Sequence, residues 1–217
     1  MNTPEVIFIS GIDTDAGKSY ATGHLANMLT SAGRRVITQK FVQTGCGDMS
    51  EDIELHRRIM GIPLQPRDLD HTTAPLIFSY PCSPQLAARI DNRTIDLDIV
   101  DAATRRLSGE YDTVLIEGAG GLMVPLTDAF LTIDYPATRR LPIALVTNSR
   151  LGSINHTLLA LEAIRSRNIP LHSILYNHHF DAAAGPMITD DTYAFLQRYI
   201  ERYFPDTPII DVPTIAL

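Results

Sequence analysis

The chain has 217 residues, 45% of them hydrophobic and 20% charged, with a formal net charge of −7. That length and balance fit one soluble globular unit with a full core, and the acidic surplus gives no support to non-specific nucleic-acid binding. No apolar run approaches the ~20 residues that span a bilayer, the start Met1-Asn2-Thr3-Pro4-Glu5 lacks the pattern of a signal peptide, and Cys46 and Cys82 form neither a metal-type pair nor a disulfide framework. The expectation is a cytoplasmic enzyme without nucleic-acid or membrane partners, with Cys46 a small loop residue rather than a reactive thiol.

Taken in chain order, short β-branched runs alternate with longer helical patterns. Val6-Ile7-Phe8-Ile9-Ser10 reads as a buried strand running into the glycine-rich Gly11-Ile12-Asp13-Thr14-Asp15-Ala16-Gly17-Lys18-Ser19. Residues 18–32 form a helix, with Ala21, Leu25, Met28 and Leu29 on its buried face and Gly33 as its stop. Residues 35–39 are a second strand, 41–50 a polar, mobile loop, and 51–60 a short helix. Residues 61–94 are rich in Pro, Asp and Thr and read as irregular, with a short helix near 83–90. A helix over 98–107 precedes the strand Thr113-Val114-Leu115-Ile116-Glu117, which runs into Gly118-Ala119-Gly120-Gly121. Strands over 143–147 and 171–177, helices over 153–167 and 187–203, and a last strand at 208–212 complete the pattern. Strands alternating with helices of this length predict a three-layer, doubly wound α/β domain over residues 1–217 with a mostly parallel sheet.

A strand, a glycine-rich turn and a helix opening with Lys18-Ser19 form the phosphate cradle of P-loop nucleotide-binding proteins. Backbone N–H groups of residues 14–19 and the helix dipole would face phosphate oxygens. Lys18 would reach the β- and γ-phosphates, and Ser19 would ligate Mg²⁺. Five residues separate Gly11 and Gly17 where four are usual, which puts Ile12 in the place of the first glycine.

Lysine usage sharpens this. Of 18 basic residues only Lys18 and Lys40 are lysine, and both fall at the carboxyl ends of predicted strands, where open α/β sheets place their ligands. A compact ammonium suits a crowded phosphate site better than a planar guanidinium. Glu117 ends a third strand before glycines that allow close backbone approach, and Asp52 follows the loop after Lys40; both are candidate magnesium acids. Ser153 reads as the N-cap of its helix. Asn177 could meet a nucleotide base or serve as a turn residue, and His178-His179 reads as a surface pair.

Together these segments resemble the dethiobiotin synthetase family, over essentially the whole chain. The loop at 11–19 is similar to G-T-D-T-x-x-G-K-T with its five-residue spacing. Lys40-Phe41-Val42-Gln43-Thr44-Gly45 is similar to K-P-V-Q-T-G, Glu117-Gly118-Ala119-Gly120-Gly121 to E-G-A-G-G, and Leu151-Gly152-Ser153-Ile154-Asn155-His156 to L-G-x-I-N-H. The resemblance implies ATP-dependent carboxylation and ring closure of 7,8-diaminopelargonate with CO₂ and Mg²⁺, through a carbamate and a carbamic–phosphoric anhydride. It implies catalytic roles for Lys40 and Lys18. It places Asp15, Ala16, Gly17, Lys18, Ser19 and Tyr20 with Gly118, Ala119 and Gly120 around ATP, and Ser19, Asp52 and Glu117 on Mg²⁺. It sets Asn177, His178, Pro213, Thr214 and Ile215 near the adenine, and Thr14, Lys40 and Thr44 near the diamine or its carbamate. Gly152, Ser153, Ile154 and Asn155 would bind the substrate carboxylate across a homodimer.

Four features depart from that pattern: Phe41 in place of proline, Ser19 in place of threonine, His178 where an acid is common, and a chain ending soon after Val212-Pro213-Thr214. The last leaves nucleotide selectivity open. Alternatives are a ParA/MinD-type ATPase switch, disfavoured because residues 11–16 lack the extra lysine, and another ligase or amidotransferase-type synthetase, disfavoured because no glutaminase domain fits. A small GTPase is disfavoured because Asn148-Ser149-Arg150 does not continue as N-K-x-D.

Overall fold

The computed structural model describes residues 4–216. The β-branched run after Pro4 folds as β1 (Glu5–Gly11) and turns into α1 (Lys18–Ser31), β2 (Val36–Lys40) and β3 (Gln43–Thr44). The middle of the chain forms α2 (Glu51–Met60), α3 (Pro66–Leu69), β4 (Ile77–Phe78), α4 (Pro84–Ile90) and α5 (Leu97–Ser108). Then come β5 (Thr113–Gly121), the antiparallel pair β6 (Pro125–Thr127) and β7 (Phe130–Leu131), α6 (Asp134–Arg139), β8 (Ile143–Asn148) and α7 (Ser153–Ser166). β9 (Leu171–Asn177) leads through a 3₁₀ turn, His178–Phe180, to α8 (Asp181–Ala184), α9 (Pro186–Tyr203) and β10 (Ile209–Val212).

Six strands pair in the order β10-β9-β8-β1-β5-β2, and every pairing is parallel. Alternation along the strands divides the core between two faces. Phe8, Val114, Ile116, Ile143 and Leu145 pack with Val100 and Leu107 of α5, Leu161 and Ile164 of α7 and Ile200 of α9. Ile7, Ile9, Leu115, Ala144 and Val146 pack on the other face with Ala21, Leu25 and Ala26 of α1. Helices therefore cover both faces, giving the three expected layers, and double-sided burial explains why the central strands read as continuous apolar runs. The chain leaves β1 toward β2 on one side, while β8 lies on the other. That reversal opens a crevice at the carboxyl ends of β1, β5 and β2.

Local chemistry sets the boundaries of α2. The Ser50 side chain accepts from the Ile53 N–H, Glu51, Asp52 and Glu54 fill the first turn, and Arg57 and Arg58 the last. These charges complement the helix dipole, and Gly61 closes the helix at φ +67°.

Three expectations need correction. Met28 is exposed, because the buried face of α1 runs through Ala21, Thr22, Leu25 and Ala26. Residues 41–50 are not a polar, mobile loop. Phe41 and Val42 are wholly buried, Phe41 packs edge-on against Phe8 with ring centroids 5.4 Å apart, and β3 pairs with β4. The stretch 61–94 also carries α3 and β4, which no periodicity announced. Among the described residues no helix is long and apolar enough to cross a membrane.

Candidate active site

The loop after β1 owes its shape to its last glycine. Gly17 caps α1 at φ +87°, and a Cβ there would lie 2.0 Å from Asn177 Nδ2. Glycine is thus required both by the left-handed backbone and by the close approach of β9. Asn177 completes the brace: Nδ2 donates to the Ala16 carbonyl at 3.2 Å, and its Oδ1 accepts from the His179 N–H at 3.0 Å. The Lys18 ammonium folds back over the loop, donating to the carbonyls of Asp13 and Thr14, each at 2.9 Å. Burial, and then the charge of Lys40, push its pKa down to about 8.

Lys40 sits at the end of β2, in register with Glu117 on β5. Its ammonium donates to Glu117 Oε1 at 2.8 Å and pairs with Asp52. Ser19 Oγ bridges the same two acids, 2.9 Å from Asp52 Oδ1 and 2.9 Å from Glu117 Oε1. Burial opposes both charges. Glu117 and Asp52 nevertheless keep the Lys40 ammonium above its usual range. Lys40 and His56 hold the Glu117 carboxyl well below the ordinary carboxylate range.

These groups line a cleft of about 430 Å³ with Thr14, Asp15, Gly17, Tyr20, Thr44, Ala119, Gly120 and Asn177. Both lysines of the chain, each 5% exposed, face this one cleft. The arrangement can hold and polarise phosphate and an anionic acceptor. It offers positive charge and backbone dipoles rather than an acid–base pair.

Other candidates lie elsewhere. Ala16 is wholly buried and serves through its carbonyl. Gly118 lies under the cleft, where a Cβ would sit 3.1 Å from the Phe8 ring and where its carbonyl accepts from Lys40 at 3.4 Å. His178 turns away between Asp181 (2.6 Å) and Asp211 (2.9 Å), while His179 faces the cleft and stacks on Tyr20; the two are therefore not a free surface pair. Pro213, Thr214 and Ile215 do not line the cleft. Ser153 is not the N-cap: Gly152 occupies that place at φ +94°, and the buried Ser153 hydroxyl has no partner among the described residues. Ser153 faces a separate small cleft with Asn148, Arg150 and Leu151, and Gly152, Ile154 and Asn155 lie outside both.

Sequence reasoning missed His56, His179 and Phe180. His56 is wholly buried, with Nε2 2.6 Å from Glu117 Oε2. Its signal was its place four residues after Asp52, on the same helix face, hidden because half of α2 is charged. His179 and Phe180 follow a strand end with no pattern to mark them.

Comparison with known proteins identifies the family. The AAA_26 family, described as an AAA domain, matches residues 5–211. An ATP-dependent dethiobiotin synthetase BioD 2 of Pasteurella multocida is 46% identical over 94% of this chain and 94% of its own length. The ATP-dependent dethiobiotin synthetase BioD of Chlorobaculum tepidum is 48% identical over 98% of this chain and 89% of its own. Among solved structures, the signal recognition particle receptor FtsY of Elizabethkingia anophelis in complex with GDP superposes with a TM-score of 0.56 at 14% identity; it matches 96% of this chain and 57% of that one, a likeness of fold alone. On the first two relatives, the chain belongs to the ATP-dependent dethiobiotin synthetase family.

Proposed function

We propose that this chain uses ATP to carboxylate 7,8-diaminopelargonate with CO₂ and close it to dethiobiotin, releasing ADP and phosphate. The observation that carries the reading is the convergence of both lysines with Glu117, Asp52 and Ser19 at one phosphate loop. One amine of the diamine adds to CO₂, giving a carbamate and releasing a proton. A carbamate oxygen attacks the γ-phosphorus as ADP leaves. The second amine then attacks the carbamic carbon, expelling phosphate, and its proton departs. The difficulty is bringing an anion to a polyanion, so fixed positive charge is the main requirement.

In this reading Lys40 bridges carbamate and γ-phosphate, and Lys18 leaves its own loop carbonyls for the β- and γ-phosphates. Asp15 through Tyr20, with Ala119, Gly120 and Asn177, hold the nucleotide; Thr14 and Thr44 contact the diamine. His178 contributes only through Asp181 and Asp211, and residues 213–215 only if the end of the chain folds over the base.

The site suits Mg²⁺. Two carboxylates and a hydroxyl converge on the cleft as hard oxygen donors, the kind Mg²⁺ takes. Bound there, Mg²⁺ would neutralise charge on the transferring phosphoryl group. Ser19, Asp52 and Glu117 would hold it, and Lys40 would then give up part of its present pairing for phosphate.

The substrate carboxylate goes to the α7 N-terminus at Gly152, Ser153, Ile154 and Asn155 of a second copy, making a homodimer necessary. Supporting this, exposed Met123 and Leu159 line one surface hollow and exposed Leu151 another, and His156 near the start of α7 borders both. The location is cytoplasmic, and the described chain acts as one domain.

The test is phosphate release from Mg-ATP with and without diamine and bicarbonate, with mass detection of product. Diamine-dependent phosphate and a dethiobiotin mass are expected. Hydrolysis indifferent to the diamine would favour an ATPase switch and overturn the proposal.

A further inference from the structure

Glu117 divides its two oxygens between different neighbours. Oε1 faces the cleft and accepts from Ser19 and Lys40 at 2.9 and 2.8 Å. Oε2 faces inward, 2.6 Å from His56 Nε2. On the other side of the imidazole, His56 Nδ1 lies 3.0 Å from Thr38 Oγ1.

The direction of these hydrogen bonds follows from Arg57. A guanidinium only donates, and Arg57 Nη1 donates to Thr38 Oγ1 at 2.8 Å. The Thr38 hydroxyl has one hydrogen to pass on, and among the described residues His56 Nδ1 is the acceptor in reach. With Nδ1 accepting, Nε2 carries the hydrogen given to Glu117. Arg57 is itself clamped by Asp68, Nε to Oδ2 and Nη2 to Oδ1, each at 2.8 Å. A one-way chain of donors thus runs from a fixed guanidinium through Thr38 and His56 to one carboxylate oxygen.

We propose that His56 is a positioning residue for Glu117: it occupies Oε2, so that only Oε1 is presented to the cation and the phosphates. Without it the carboxylate is free to rotate, so that neither oxygen is held in place for the cation. Groups behind a ligating side chain orient it in this way. The inference rests on the proposed role of Glu117 toward Mg²⁺.

The experiment titrates Mg²⁺ calorimetrically into protein saturated with a non-hydrolysable ATP analogue, so that no turnover is involved. His56→Leu is expected to weaken Mg²⁺ binding about 10- to 100-fold while Mg²⁺-free binding of the analogue is unchanged. His56→Gln, whose amide can offer the same hydrogen to Oε2, is expected to recover most of the loss. Thr38→Val is expected to shift the titration in the same direction by less. A wild-type Mg²⁺ titration in His56→Leu would overturn the proposal, as would equal losses with and without Mg²⁺ that glutamine does not repair. Should His56→Leu fail to fold, a wild-type titration in Thr38→Val overturns it instead. Glu117→Gln separates the two levels. An unchanged titration there removes Glu117 from the metal and the inference with it; a shifted one beside an unchanged His56→Leu rejects the inference alone.

Discussion

Helix α2 anchors two ionic clusters. Arg57 and Asp68 form the first: both are at most 2% exposed, the pair is bidentate, and Asp68 also accepts from the Gln65 N–H and the Thr73 hydroxyl. One cation meets one anion, and few lone pairs or hydrogens remain. The second places a single ammonium, Lys40, between Asp52 and Glu117 at the floor of an open cleft, with Asp52 still partly exposed. A closed pair has nothing left to offer a ligand and contributes uniqueness of structure more than net stability. The open cluster keeps charge in hand for phosphate. Buried charge alone therefore does not mark an active site; unclosed coordination facing a cavity does.

Four experiments press on this contrast, the largest effect first. Asp68→Ala leaves Arg57 charged, buried and uncompensated, which costs about 3–5 kcal/mol; urea unfolding should show it, and a loss below about 1 kcal/mol would show that the pair is not closed. Lys40→Arg keeps the charge but changes its shape. It should cut kcat about 10²- to 10³-fold while ATP binding persists in equilibrium dialysis, and near-normal turnover would remove Lys40 from the chemistry. Gly17→Ala strains a left-handed residue by about 1–2 kcal/mol and collides with Asn177, so nucleotide affinity should fall about tenfold in the same dialysis, leaving the Arg57 cluster untouched.

The smallest effect concerns His178. Burial lowers its pKa, but hydrogen bonds to Asp211 and Asp181 outweigh this and raise it above 6.5. A raised folded pKa means stabilisation fully present below pH 6.5 and lost as pH rises through the folded value. These side chains are partly exposed, so the contribution is below about 1 kcal/mol. His178→Gln should lower the urea midpoint at pH 6 and match the wild type at pH 8. Equal differences at both values would mean that packing, not charge, is responsible.

The six strands of the main sheet, the phosphate loop and the strand-end charges were legible because they rest on local pattern: apolar runs, glycine spacing, and lysine kept at two places. What could not be read depends on distant residues. Phe41 and Val42 sit among polar neighbours in sequence, yet Phe8 and Tyr135 bury Phe41, so a loop was expected to be mobile where it is packed. His56 looked like one more polar residue on a charged helix until β2 and β5 brought Thr38 and Glu117 against its two nitrogens. Ser153 had the chemistry of a cap, but Gly152 took that place by adopting a left-handed backbone.

The edge strand carries a consequence of its own. β2 has one neighbour, β5, and all five of its residues are buried, so no alternation of apolar and polar faces fixes how far it slides. Its polar partners do: Thr38 with Arg57 and His56, Gln39 with Thr104, Lys40 with Glu117. A slip by one residue would put Gln39 or Phe41 opposite Glu117 and leave the acid facing an amide or an aromatic ring. The contacts that arm the cleft also act as the ruler along which the sheet is assembled, so a chain folded out of step would be silent as a catalyst while still holding most of its sheet.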